Sequence, residues 1–143
     1  MSIADEFVYT TMGEIANIIE NMNKLKYENM SMYKNFLRIQ ITSLAKTHNF
    51  TTKKNYLREN KFGEDIFIDL IWKGKAGMII SSFIITDHYN DKVSQSLCLC
   101  DAPYKFWIYI GDKEIYNIKE IVKINNVHFM PMSEVKPDLL CLG

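Results

Sequence analysis

The sequence is poor in residues that staple or punctuate a chain: it has three cysteines, three prolines and six glycines in 143 residues. A small, odd number of thiols excludes a disulfide scaffold and reads as reduced cysteines in a cytosolic-type compartment, so a cytoplasmic location is expected. With so little glycine and proline, and no low-complexity tract, collagen-like and linker-rich chains are excluded. No apolar run approaches the ~20 residues that span a bilayer, so no membrane partner is expected. The opening MSIADEFVYTTMGE has no basic stretch leading into an apolar one and does not read as a secretory signal. Neither G-x-x-x-x-G-K-[ST] nor G-x-G-x-x-G occurs, so nucleotide binding by those loops is not expected. Cys98 and Cys100 on a helix would point about 200° apart, and a C-x-C without a second Cys or His pair is not a zinc pattern. Buried free thiols are expected instead. His48, His88 and His128 are far apart in the chain and have no i,i+4 ligand partner. Ser81-Ser82 lacks the setting of a nucleophile elbow.

What is present is an ordinary globular mixture, 48% hydrophobic and 24% charged, and long enough to bury a core as one domain. Bases and acids balance at 17 each, but not locally. Residues 1–30 carry five acids and two bases, a net of −3. Residues 31–63 carry seven bases (Lys34, Arg38, Lys46, Lys53, Lys54, Arg58, Lys61) and one acid, Glu59, a net of +6. Residues 64–143 return to −3. The basic segment reads as a solvated helix face plus an edge strand. If the protein binds nucleic acid, DNA or RNA, the expected phosphate contacts are Lys46, Lys53, Lys54, Arg58 and Lys61.

Apolar spacing predicts a helix over roughly 11–27, from Met12, Ile15, Ile19 and Met22 with Ile18 and Leu25 widening the stripe. Thr10 or Thr11 could cap it, and Glu14 stands where a capping box needs it. A second helix is expected over 30–48, on Met30, Tyr33, Leu37, Ile41 and Leu44, closed by Asn49. TTKKNYLREN, DIFIDLIWK and MIISSFIIT read as an antiparallel meander with turns at KFGE and GKAG. A short helix capped by Asn90 or Asp91 follows, then the apolar strand YKFWIYIG. A helix over DKEIYNIKEIVKI, a strand at NNVHFMPM and an irregular tail complete the chain. The order α-α-β-β-β-α-β-α-β predicts an α/β (α+β) fold, a mixed sheet with flanking helices. Phe106, Trp107 and Tyr109 share one strand, where core packing competes with base stacking.

Asp69 does not fit a core. A carboxylate in an apolar strand costs several kcal/mol if buried unpaired. It needs a hydrogen-bonded partner (backbone, Lys or Tyr), partial exposure at a sheet edge, or a cation. A metal-dependent hydrolase would use it as an oxygen ligand for Mg²⁺, with a second acid and a lysine close by. If GKAG closes the hairpin with Lys73 opposite Met78, Asp69 faces Ser82, and Ile84 and Thr86 share its face. Those are the positions for the second acid and the lysine, and neither residue type is there.

From Tyr56 to Gly111, the segments FIDLIW, SSFIIT, NDKVSQSLCLCDAP and YKFWIYIG resemble the restriction-endonuclease-like (PD-(D/E)xK) nuclease superfamily. With the helix at 30–48 they match its α-β-β-β-α-β core over about 80 of the 143 residues. The resemblance divides the single domain 1–143 into an N-terminal helical addition (1–28), a nuclease-like core (30–111) and a C-terminal helix, strand and tail (112–143). It implies that Asp69 stands where the family carries its strand aspartate. Ile84 and Thr86 replace the acid and lysine of the family's (E/D)-x-K triplet. No acid lies between Glu28 and Glu59 to supply one from the first core helix. The expectation is therefore a catalytically inactive nuclease-fold protein, a nucleic-acid-associated or protein-interaction module without a cofactor. One alternative is a Mg²⁺-dependent phosphodiester hydrolase whose metal is held by Asp69 with a relocated Asp87 or Glu59. Another is a self-assembling protein without a nucleic-acid role, whose Met12, Met22, Met30 and Met32 line a homodimer seam of the N-terminal helices.

Overall fold

The computed structural model describes residues 2–59, 65–132 and 138–139, the side chains of 55–59, 65, 66, 138 and 139 excepted. In chain order the elements are α1 (Ile3–Met22), β1 (Lys26–Tyr27), α2 (Met30–Thr47), β2 (Thr51–Glu59), β3 (Asp65–Lys73), β4 (Ile79–Thr86), α3 (Asp91–Leu99), β5 (Tyr104–Tyr109), α4 (Ile118–Asn125), β6 (His128–Pro131) and β7 (Asp138–Leu139). Strands β2-β3-β4-β5-β6 form one sheet in that spatial order. The first three are antiparallel and the last three parallel. Short turns can join antiparallel strands, whereas each parallel step needs a crossover, here α3 and α4. This is the α+β mixed sheet with flanking helices that the apolar pattern predicts. The two-residue strands β1 and β7, which pair in parallel, have no apolar signal of their own.

The helices cover both faces. Beneath α1 and α2 lie Leu70, Trp72, Phe83, Ile85, Phe106 and Ile108, packed on Ile15, Ile19, Leu37 and Ile41. Beneath α3 and α4 lie Ile71, Ile84 and Trp107, packed on Val93, Leu97 and Ile118. The inner strand β5 is thus buried on both sides, with Phe106 and Trp107 fully enclosed. No described helix is long and apolar enough to cross a membrane.

Several boundaries move from their expected places. Helix α1 begins eight residues early, because Ser2 accepts a hydrogen bond from the Asp5 N–H at 3.1 Å and two acids, Asp5 and Glu6, follow in its first turn. Thr11 is therefore a buried mid-helix residue and not a cap, while Leu25 lies past the helix end and is exposed. Helix α2 ends as expected, with Asn49 in the left-handed region at φ 62°. Helix α4 is shorter than its apolar spacing predicts. Asn117 is left-handed (φ 57°), so helical geometry starts only at Ile118.

The β3–β4 register also differs. The loop closes at Gly74, whose N–H donates to the Met78 carbonyl at 2.9 Å, with Gly77 left-handed at φ 79°. That is a three-residue loop, not the four-residue loop expected. An irregularity between Trp72 and Lys73 then shifts the ladder by one more residue, so that Ile71, not Asp69, is paired with Ser82.

Candidate functional site

The β3–β4 ladder stops at Leu70↔Phe83, although β3 stays paired with β2 out to Glu59↔Asp65. The sheet forks at that point. Alternation along β3 lapses too. Ile68 packs with Ile71 on the α3/α4 side, although a regular strand would place it with Leu70. Asp69 sits in the fork, 3% exposed. Its Oδ2 accepts the Ile85 backbone N–H at 2.8 Å, replacing the ladder bond that the fork removes. Its Oδ1 accepts from Arg38 Nη2 at 2.6 Å and from Arg38 Nε at 3.2 Å. Arg38 Nη1 donates to Asn35 Oδ1 at 2.6 Å, which fixes the guanidinium.

One turn earlier on α2, Lys34 Nζ lies 3.2 Å from Asp87 Oδ1, at the end of β4. His88 Nδ1 lies 2.8 Å from the same oxygen. Lys34 and Arg38 are four residues apart and share a helix face, so α2 brings one base to each of two acids. Burial pushes the Asp87 carboxyl up. The hydrogen bond from His88 and the charge and hydrogen bond of Lys34 outweigh it and hold the carboxyl below its ordinary value.

The residues of the expected metal set are distributed as follows. Asp69 and Asp87 both face α2, each with its own base. Glu59 pairs with Asp65, four residues from Asp69 along β3, or about 13 Å at 3.3 Å per residue; its side chain lies outside the described residues. Ile84 packs on the α3/α4 side, and Thr86 Oγ1 accepts the Trp107 indole N–H at 3.0 Å. Among the described residues, no three or more His, Cys, Asp or Glu side chains are grouped to hold a metal ion. For Asp69 to ligate a cation, Arg38 would have to leave.

The basic segment is less of a single patch than its sequence reads. Lys34 and Arg38 are neutralised by acids from outside it. Lys46, Lys53 and Lys54 are exposed, and β2 is an edge strand. Lys53 is opposite Ile71 and Lys54 opposite Leu70, so the two lysines belong to opposite faces of the sheet. Arg58 is opposite Ile66, with its side chain outside the described residues, and Lys61 lies wholly outside them. Cys98 is exposed, contrary to expectation, because it points away from the α3 face that carries Val93 and Leu97; Cys100 is buried, with Ser82 Oγ 3.0 Å from its sulfur. The N-terminal methionines mostly pack inward. Met22 is buried in the α1/α2 cluster, Met12 and Met30 pack against it, and Met32 is exposed.

One feature has no sequence signal. A groove of about 850 Å³ runs along the carboxyl ends of β5 and β6, between Tyr109, Phe129 and Pro131 and the start of α4 at Tyr116 and Asn117. It depends on where the left-handed Asn117 turns the chain. No known protein family, curated protein or solved structure matches this chain.

Proposed function

We propose that this chain is a non-catalytic, nucleic-acid-associated binding module, built on a nuclease-like arrangement in which the strand aspartate serves as a structural latch. The observation that carries the reading is the engagement of both Asp69 carboxylate oxygens, one by Arg38 and the other by the Ile85 amide. A carboxylate so engaged has no free oxygen facing a cation, and a guanidinium already supplies its counter-charge. Binding is assigned to Lys46, Lys53, Lys54, Arg58 and Lys61. Of these, Lys46 near the end of α2 and Lys53 and Lys54 on the edge strand β2 are exposed, and exposed bases can track a phosphate backbone without reading bases.

Two measurements test the two halves of the proposal. Calorimetry with Mn²⁺ should give no binding to the wild type. Binding that disappears in Asp69→Asn would overturn the non-catalytic half and restore the metal-dependent hydrolase. Affinity for single- and double-stranded oligonucleotides should fall steeply with salt. Reversing the charge of Lys53, Lys54 and Arg58 together should reduce the slope of log K against log[salt] by roughly 2–3. No measurable affinity at low salt would sink the nucleic-acid half.

A further inference from the structure

The two tryptophans solve the same problem differently. Each indole N–H can only donate, and each ring is fully buried. Trp107 donates to Thr86 Oγ1 on the neighbouring strand. Among the described residues, neither Trp72 Nε1 nor Ser81 Oγ has a hydrogen-bond partner, and Ser81 is also fully buried. These two residues are register partners on β3 and β4. Their Cα atoms are therefore about 4.5–5.5 Å apart and their side chains share a face. That face lies beneath α1 and α2, where the Trp72 ring is flanked by Phe83 at 4.7 Å, and by Phe50 and His48, each at 5.7 Å between centroids. No acceptor or donor from those neighbours reaches either atom. Buried polar groups that lack a protein partner are ordinarily satisfied by ordered water.

We infer that the Trp72–Ser81 pair is an internal hydration site, in which one long-lived water accepts from Trp72 Nε1 and hydrogen-bonds Ser81 Oγ. The aromatic residues around it exclude bulk solvent, so this water exchanges only when the α1/α2 layer opens locally.

Trp107 provides the control. In protein labelled with ¹⁵N at its tryptophans, the two indole resonances are assigned with Trp72→Phe and Trp107→Phe. A rotating-frame cross-relaxation experiment then reads contact with water, and its sign separates dipolar contact from proton exchange. The expected result is a dipolar water cross-peak at the Trp72 indole proton and none at Trp107. In Ser81→Ala the Trp72 peak should be lost or at least halved. A wild-type spectrum without a dipolar peak at Trp72 overturns the inference, whether or not Ser81→Ala folds. A peak that persists undiminished in folded Ser81→Ala overturns the bridge.

Discussion

Arg38 and Asp69 are both largely removed from water, at 16% and 5% side-chain exposure, so desolvation weighs on their pairing as much as attraction does. Removing one partner leaves an uncompensated charge in the fork. Arg38→Ala is expected to lower unfolding stability by about 3–5 kcal/mol in urea denaturation. Asp69→Leu combined with Arg38→Met should cost less than the two single changes summed, because the second substitution removes the orphan that the first creates. Additive losses would mean that the two groups do not act as a pair. A carboxylate in the middle of the apolar run IFIDLIW announces that it needs a partner, and the backbone part of that partner, the Ile85 amide, is among the expected kinds. The side-chain part is not legible. Arg38 lies 31 residues away, and only the docking angle of α2 decides that it, and not Lys34, meets Asp69. Two other residues contribute to the response to acid. Burial lowers the affinity of His128 for a proton, against the opposing pull of Asp5, and Asp87 also titrates below its ordinary value. In both cases the unfolded chain binds the proton more readily, so stability rises with pH across the shifted range. Stability should therefore start to fall below about pH 6.5, the ordinary histidine value, and fall again below about pH 4. His128→Gln should flatten the first decline and Asp87→Asn the second, read as midpoint denaturant concentration against pH. Unchanged profiles would assign the acid sensitivity elsewhere.

At the scale of elements, the helix and strand types follow from apolar periodicity, while their ends follow from single residues that periodicity does not weigh. Ser2 starts α1 before its buried stripe begins at Val8. Asn117 delays α4 by adopting a left-handed conformation that only the folded chain reveals. In the β3–β4 hairpin, Gly77 selects a three-residue loop, and the slip between Trp72 and Lys73 then changes which residue stands opposite Asp69. The candidate site depends on these ends, which is why Asp69 could be singled out in the sequence and its surroundings could not. Gly111, just past β5, is a second such point. A Cβ there would run into the Asp87 carbonyl oxygen and the Tyr109 ring. Gly111→Ala should therefore destabilise the protein by about 1–3 kcal/mol, as other overpacked sites do. It should also perturb the His88 and Tyr109 resonances before those of α1. A neutral substitution would mean that the β4 end yields without strain.

At the scale of the whole molecule, the sheet is one object over part of its length and two over the rest. Between Leu70 and Lys73, β3 joins β2 to the three parallel strands; beyond Asp69 it is paired with β2 alone. Backbone bonds enclosed by neighbours on both sides open only with the whole domain, whereas a two-stranded ribbon can open by itself. Amide hydrogen exchange should therefore be slowest at Phe83–Ile85 and Phe106–Ile108, which lie in inner strands covered by helices on both faces. It should be at least about tenfold faster at Ile66–Ile68, a difference of about 1.4 kcal/mol in opening free energy. Ile85 gives the sharpest reading, because its N–H is bonded to a side chain and not to a strand. Asp69→Ala should raise exchange at Ile85 well above that at Phe83, the last β4 residue still paired with β3. Protection that is uniform along β3, or an Ile85 amide indifferent to Asp69, would mean that the fork is no boundary and that the carboxylate does not hold it.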